Sequence, residues 1–205
     1  MKDRLPLVIG LVGLPCAGKS EAAAALRRLG VQTIEADKVG HEIIRQPVVR
    51  RAIMSRFGKD ACGKNGQVDR RALAAIVFKN AKSRRYLERI MHPRIICQIR
   101  KRLRVSRRPA AIAAAILFRL GLHRLCDRIW LVKASAENRR RRARWRGWSA
   151  SEMERRSRIV RDDIKPHRHL IDEVIANDGD LCRLRRSVRK IWKEEFYAAT
   201  SRKKA

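Results

Sequence analysis

The stretch G-L-P-C-A-G-K-S at residues 13–20 stands between an apolar run at residues 5–12 and an alanine-rich run at residues 21–29. Its spacing, G-x-x-x-x-G-K-[ST], is that of a phosphate-binding loop, whose backbone N–H groups surround phosphate oxygens. The flanking runs predict a strand before the loop and a helix after it, and the N-terminus of a helix attracts anions. We therefore predict a strand–loop–helix unit that binds the phosphates of a nucleotide. The alternative, a glycine-rich turn before an alanine-rich helix, does not require Lys19 and Ser20 side by side.

Within this phosphate loop (residues 13–20), the residue types have separate tasks. Gly13 and Gly18 allow backbone conformations that a side chain would forbid. Lys19 is expected to reach the terminal phosphates, and the Ser20 hydroxyl is expected to bind Mg²⁺. The carboxylate of Glu21 favours the first turn of the helix, although it mildly repels an α-phosphate. The residues predicted to bind the nucleotide are Gly13, Cys16, Ala17, Gly18, Lys19, Ser20 and Glu21.

The composition is that of a globular protein. The chain has 205 residues, of which 45% are hydrophobic, enough for one domain with a full core and small inserted subdomains. We expect no membrane segment and no signal peptide, because no apolar run is long enough and residues 1–4 carry no cleavage site. The five cysteines form neither a C-x-x-C pair nor a zinc-binding pattern, so we expect free thiols and a cytoplasmic location.

The charge of the chain is unusual. Its 51 Lys and Arg residues against 20 Asp and Glu residues give a net charge of +31, and such a surface attracts polyanions. Two interpretations compete: a nucleic-acid-binding protein, and an enzyme for phosphorylated substrates with an arginine-rich surface. Because the basic residues are spread over the chain with few aromatic residues between them, we expect no specific nucleic-acid recognition. Nonspecific, salt-sensitive binding of polyanions remains an expectation.

A second predicted strand at residues 31–36 leads into Asp37. The order strand, loop, helix, strand indicates a parallel sheet with helices on its faces. Asp37 falls at the carboxyl end of this strand, the edge at which such sheets bind ligands. A carboxylate there can accept the proton of a substrate hydroxyl or hold a metal-bound water. Equally, Asp37 can be the N-cap of a helix at residues 38–45.

Residues 38–108 predict a helical insertion between the second and third strands. Asp69 is the expected N-cap of a helix at residues 70–78. A long basic helical pattern follows at residues 82–104, and we predict a break or kink at Pro93.

The rest of the chain returns to the sheet. The apolar run at residues 110–118 fits either a buried helix or a buried strand, and its position between predicted strand–helix units favours the strand. Further strands are predicted at residues 127–132 and 174–175, followed by an amphipathic helix in which Leu184 and Val188 mark the apolar face.

Two arginine-rich helices are predicted between the last two strands, at residues 137–146 and from Ser149 to about Arg161. In a phosphate-loop enzyme such a helix pair can be a lid whose arginines stabilise the transferring phosphoryl group. Arg142 and Arg146, four residues apart, would share one helix face. The alternative is a solvated helix face without a catalytic role.

Several blocks of the sequence together resemble dephospho-coenzyme A kinase, a family of the phosphate-loop kinase superfamily. These blocks are G-L-V-G-L-P-C-A-G-K-S at residues 10–20, L-G-V-Q-T-I-E-A-D at 29–37, F-G at 57–58, G-Q-V-D-R-R-A-L-A-A-I-V-F at 66–78, Y-L-E-R-I-M-H-P-R-I at 86–95, R-G-W-S at 146–149 and V-I-A-N at 174–177. The resemblance runs nearly from end to end of the chain.

This resemblance implies an ATP-dependent phosphorylation of the ribose 3′-hydroxyl of dephospho-CoA, with Mg²⁺ as the metal ion. It implies an α/β fold with a five-stranded parallel sheet, in three parts. These parts are a core of residues 1–37, 109–136 and 170–205, a helical substrate domain of residues 38–108, and a lid of residues 137–169. By position, the implied catalytic residues are Asp37 as general base, Lys19, Arg142 and Arg146, and the implied substrate-binding residues are Asp37, Arg70 and His92.

The third strand departs from the family pattern. Where the family has D-x-P-L-L-x-E, the acid, the proline and the glutamate are replaced by Ala113, Ala115 and Arg119. This departure keeps two alternatives open beside the kinase. One is a catalytically impaired phosphate-loop protein that binds nucleotide or RNA through its charge, and the other is a kinase for a different nucleotide or nucleoside.

Overall fold

Five parallel strands form one sheet in the computed structural model, which describes residues 6–63, 66–106 and 108–201. The strands are β1 (Val8–Val12), β2 (Gln32–Glu35), β3 (Ala110–Ala113), β4 (Arg128–Lys133) and β5 (Glu173–Ala176). Their spatial order is β2-β3-β1-β4-β5. The predicted five-stranded parallel sheet is therefore confirmed.

Eight helices accompany these strands in the part of the chain that the structure describes. They are α1 (Lys19–Arg28), α2 (Ala36–Ile44), α3 (Pro47–Phe57), α4 (Arg70–Lys79), α5 (Ala81–Val105), α6 (Ala136–Trp145), α7 (Ala150–Ile164) and α8 (Leu181–Ser201). The chain divides into two compact units, which we call the sheet unit (Met1–Glu35 with Arg102–Ala205) and the helical unit (Ala36–Lys101).

The central strand β1 positions the phosphate loop. All five of its residues are buried, as expected for a strand of a parallel sheet that is covered on both faces. It pairs with β3 through Leu11 and Ala113 and with β4 through Leu11 and Trp130. Residue 13 therefore leaves the sheet at the carboxyl edge of its middle strand.

The main core of the sheet unit lies between β1, β4, α1 and α8. It is built from apolar side chains at helical or strand spacing, among them Leu11, Leu26, Trp130, Leu184 and Val188, each at most 1% exposed. The amphipathic pattern predicted for the C-terminal helix is confirmed at Leu184 and Val188.

The helical unit shows the capping that the sequence predicts. Asp69 accepts hydrogen bonds at Oδ1 from the backbone N–H groups of Arg71 at 2.8 Å and Ala72 at 3.2 Å, and α4 begins at Arg70. A side-chain cap of this kind satisfies N–H groups that have no partner within the helix.

Of the break or kink predicted at Pro93, the break is wrong, because α5 continues through this residue. Proline removes one backbone donor, but the buried residues Ile95, Ile99 and Leu103 lie on one face at four-residue spacing. The guanidinium of Arg94 also donates to the Ile90 carbonyl at 2.9 Å. Burial of one continuous face outweighs the loss of one hydrogen bond.

The predicted third strand is too long, because β3 ends at Ala113 instead of residue 118. Asp163 of α7, 7% exposed, accepts hydrogen bonds from the backbone N–H groups of Phe118 at 3.2 Å and Arg119 at 2.7 Å. The apolar run is mostly buried, but its second half is not part of the strand, and the N–H group of Phe118 is bound by a side chain instead of a neighbouring strand.

The second strand also ends earlier than predicted, at Glu35. Asp37 lies in the first turn of α2, where its carboxylate favours the helix. No helix within the described ranges is both long and apolar enough to span a bilayer. All five cysteines are free thiols.

Candidate active site

The phosphate loop connects β1 directly to α1, as its spacing predicts. A Cβ atom on Gly13 would lie 2.5 Å from the Val132 carbonyl oxygen of the neighbouring strand. Gly18 has a φ of +100° and precedes α1 without a side-chain cap. Both glycines are therefore required, the first by the close approach of β4 and the second by its left-handed backbone.

The middle of the loop is tightly bonded and buried. The Ala17 N–H donates to the Leu14 carbonyl at 3.0 Å, and the Ala22 N–H donates to the Gly18 carbonyl at 3.0 Å. Cys16 has a φ of +62° and is 6% exposed, and Ala17 is 1% exposed. The loop is thus folded back on itself between Leu14 and Ala17.

Lys19, Ser20 and Glu21 form the start of α1. Lys19 is half-buried, whereas Ser20 and Glu21 are exposed. The side chain of Lys19 and the hydroxyl of Ser20 therefore stand at the helix N-terminus, where the partial positive charge of the helix attracts phosphate.

Arg142 of α6 and Asn177, the residue that follows β5, both donate to the carbonyl groups of the loop. The Arg142 Nη1 donates to Cys16 O at 3.2 Å and to Ala17 O at 3.4 Å, and its Nη2 donates to Asn177 O at 2.9 Å. The Asn177 Nδ2 donates to Ala17 O at 2.8 Å. Sequence reasoning did not predict Asn177 as a site residue, although it ends the V-I-A-N block.

The helix pair α6–α7 packs on the loop through a small apolar cluster. Cys16, Ala143 and Met153 are its buried members, and Trp148 packs against them. This contact could not be predicted from the sequence, because three apolar residues among many arginines do not form a recognisable apolar face.

The two predicted lid arginines have different surroundings. Arg142 contacts the loop, whereas Arg146 is exposed, with its guanidinium carbon 5.9 Å from the ring centroid of Trp148. Arg156 lies over the same ring at 4.4 Å. Stacking on tryptophan is a common contact of arginine.

Arg139 is a further cation of α6 that the sequence analysis did not single out. Its Nη1 donates to the Ser157 hydroxyl at 3.4 Å, and its Nε is buried without a hydrogen-bond partner among the described residues. Burial, followed by the positive charge of Arg161, lowers the pKa of Arg139 from its usual range.

In the helical unit, Asp37 and Arg70 share an electrostatic neighbour, His41. Burial, and then the positive charge of Arg70, lower the pKa of His41, while the carboxylate of Asp37 opposes that shift. Asp37 and Arg70 are both exposed, and His41 follows Asp37 by one helical turn. His92 is half-buried on α5. The charges of Asp37 and Arg70 therefore both act on the pKa of a histidine that we did not predict.

The end of β3 provides no metal ligand. Ala113 is 4% exposed and Ala114 is fully buried, and neither has a side-chain oxygen. Among the residues described, no cluster of three or more His, Cys, Asp or Glu side chains could hold a metal ion.

Comparison with known proteins gives one consistent result. The family model described as dephospho-CoA kinase matches residues 7–183. The chain is 38% identical over 195 residues to the dephospho-CoA kinase of Moorella thermoacetica, covering 91% of each chain. It is 34% identical over 204 residues to that of Chlorobaculum tepidum, covering 94% of this chain and 96% of the other. A crystal structure from Thermus thermophilus superimposes with a TM-score of 0.79 at 28% identity, covering 93% and 98%.

Proposed function

This chain belongs to the dephospho-CoA kinase family, and from that premise we propose which of its residues carry the reaction. The reaction is the transfer of the γ-phosphoryl group of ATP to the ribose 3′-hydroxyl of dephospho-CoA, which gives ADP and CoA. The observation that carries this function is the family match over residues 7–183, which includes an intact phosphate loop on a strand–loop–helix unit.

We propose that the phosphate loop and the start of α1 bind ATP. The loop amides and the ammonium group of Lys19 would neutralise the β- and γ-phosphates. The turn that the loop forms between Leu14 and Ala17 supports this proposal, because it places the loop at the N-terminus of α1, where phosphate binds. The proposed nucleotide-binding residues are Gly13, Cys16, Ala17, Gly18, Lys19, Ser20 and Glu21.

Asp37 is the proposed general base. Its exposed carboxylate would accept the proton of the 3′-hydroxyl as that oxygen attacks phosphorus. Arg70 and His92 are the proposed contacts to the rest of dephospho-CoA, with the positive charge of Arg70 suited to a phosphate oxygen.

Mg²⁺ fits this site only partly. Ser20 would provide one hydroxyl ligand, and the alanines that end β3 would provide none. A bound Mg²⁺ would neutralise charge on the transferring phosphoryl group, and it commonly keeps water and phosphate oxygens as ligands. We therefore propose that Ser20 is the protein's direct ligand to the metal ion.

Arg142 and Arg146 are the proposed arginines of the lid, residues 137–169. The position of Arg142 against the loop carbonyls supports its assignment to the ATP side. We further propose that the helical substrate domain is residues 38–108, and that residues 1–37, 109–136 and 170–205 form the nucleotide-binding core. The free thiols support the proposed location in the reducing cytoplasm.

The first test is an acceptor screen with the full chain, ATP and Mg²⁺. We expect ADP release that depends on dephospho-CoA and a kcat that falls about 10²–10⁴-fold in Asp37→Asn, with ADP binding retained. Asp60→Asn is the matched control, because Asp60 is an exposed carboxylate of the same helical unit and should leave kcat unchanged.

The alternatives give different results in the same screen. Turnover with another nucleoside, but not with dephospho-CoA, would contradict the proposed acceptor. ATP binding without turnover of any acceptor would indicate a catalytically impaired member of the family. A full rate in Asp37→Asn would remove that carboxylate from the mechanism.

A further inference from the structure

Asn177 is a buried polar residue whose amide points at the phosphate loop, and the proposed reaction does not assign it a task. We infer that Asn177, assisted by Arg142, is a positioning residue that holds the loop in its anion-binding conformation. This inference rests on the proposed function of the loop as the ATP site. It extends that proposal to Asn177, whose side chain donates to a carbonyl group of the loop.

The Ala17 carbonyl is bound from outside the loop. It accepts hydrogen bonds from the Asn177 Nδ2 at 2.8 Å and from the Arg142 Nη1 at 3.4 Å. In a trans peptide the carbonyl and the following N–H point in opposite directions. Donors that hold Ala17 O on one side of the loop therefore hold the N–H of Gly18 on the other side.

The Cys16 carbonyl is held in the same way, because it accepts from Arg142 Nη1 at 3.2 Å. Two consecutive carbonyl groups of the loop thus have donors from outside the loop. Without those donors, the carbonyl groups of the buried residues Cys16 and Ala17 would lack these hydrogen bonds, and buried carbonyls rarely stay unpaired.

Asn177 is itself rigidly placed. It is 4% exposed, and its backbone N–H donates to the Lys133 carbonyl at 2.8 Å. Its own carbonyl accepts from Arg142 Nη2 at 2.9 Å. The amide therefore connects the carboxyl ends of β4 and β5 to the loop that leaves β1.

Gly18 shows how closely the amide is packed. A Cβ atom on Gly18 would collide with the Asn177 amide nitrogen. Position 18 therefore requires glycine for two reasons: the Asn177 amide leaves no room for a side chain, and the φ angle is +100°. The amide and the loop form one packed structure, and support of this kind keeps a site preorganised.

The consequence is a specific effect on nucleotide affinity. If the loop is prearranged, ATP and ADP bind without first reorganising it, and the loss of this support weakens both. The proposed contacts of dephospho-CoA are Asp37, Arg70 and His92 and not the loop, so its binding should change little.

The test uses Asn177→Asp and Asn177→Ala in the full chain. Asp keeps the shape but loses both donor hydrogens and adds a negative charge, whereas Ala removes the side chain without adding charge. We expect ADP affinity, measured by titration calorimetry, to fall roughly tenfold or more, as a lost buried donor predicts. We expect the KM for dephospho-CoA to change less than about twofold, and Asn177→Asp to show no rescue.

Asn138→Ala is the matched control, because the Asn138 amide donates to Asp178 at 3.1 Å and not to the loop. It should bind ADP as the wild type does. The inference is overturned if the Asn177 variants melt at a lower temperature but, when folded, bind ADP with wild-type affinity.

Arg142→Gln provides a second measurement if the Asn177 variants do not fold. A role confined to the γ-phosphate would lower kcat without changing affinity for ADP, which has no γ-phosphate. A role in holding the loop would weaken ADP binding as well, and unchanged ADP affinity in Arg142→Gln would count against the inference. ADP binding needs no acceptor. If the wild type were inactive toward dephospho-CoA, the proposed acceptor would be refuted, and the ADP affinities of the variants and the wild type would still test the role of Asn177.

Discussion

At the scale of the residue, His123 is a titratable group that the sequence did not single out. Its ring centroid lies 5.4 Å from that of Phe118 and 5.9 Å from that of His167, and its Nδ1 is buried without a hydrogen-bond partner among the described residues. Burial lowers the pKa of His123, and the charges of His167 and Arg124 lower it further, against the opposing carboxylate of Asp163. The folded protein therefore favours the neutral imidazole.

This environment predicts a pH dependence of stability. Because the folded pKa of His123 is below its unfolded value near 6.5, the unfolded chain binds more protons in the interval between the two. The stabilising contribution is fully present above pH 6.5 and is lost as pH falls through the folded pKa. We expect His123→Phe, which keeps an aromatic ring, to lose less stability than the wild type between about pH 7 and pH 5.

The measurement is thermal unfolding of the wild type and of His123→Phe between about pH 7 and pH 5. The comparison isolates His123, because His41, whose pKa is also lowered, is present in both. Parallel curves for the two proteins would contradict the assignment of this pH dependence to His123.

At the scale of the element, α8 shows how one helix carries both core and surface positions of the same residue type. Leu184 is 1% exposed and packs in the main core, whereas Leu181, in the preceding turn, is 47% exposed. The two leucines therefore differ in burial and not in chemistry.

This difference predicts unequal effects of the same substitution. We expect Leu184→Ala to lower the free energy of unfolding by about 2–4 kcal/mol, because it leaves a cavity between α8 and the sheet. Leu181→Ala, the matched control, should change it by about 0.5 kcal/mol or less. Urea unfolding measures both, and equal losses would show that α8 does not pack on the sheet as described.

At the scale of the whole molecule, the net charge of +31 is the dominant long-range property. Because exposed arginines are present on α6, α7 and α8, the field is not confined to the phosphate loop. A surface of this kind binds polyanions by releasing their counterions, without reading their sequence.

We accordingly expect unrelated single-stranded RNAs to bind with similar affinity. The logarithm of that affinity should fall linearly with the logarithm of the salt concentration, by about 0.7 for each phosphate neutralised. Fluorescence anisotropy at several salt concentrations measures this slope. A preference for one RNA sequence that survives high salt would contradict nonspecific binding.

The amino-acid sequence by itself determined the parts of this protein that depend on neighbouring residues. The phosphate loop, the cap at Asp69 and the apolar face of α8 each follow from spacing within about ten residues. The parallel sheet followed from the order of these elements, because a strand–helix–strand connection leaves few arrangements. The family blocks then pointed to the kinase reaction that the comparisons support.

The tertiary structure alone decided what depends on residues far apart in the chain. β3 ends before the end of the predicted strand, where Asp163, 45 positions after Phe118, binds the N–H group of that residue. Asn177 reaches Ala17 across 160 positions, and His123 meets His167 only because the chain folds. A local sequence pattern shows which structure a segment prefers. A hydrogen bond to a distant side chain can override that preference, and such a bond exists only in the folded chain.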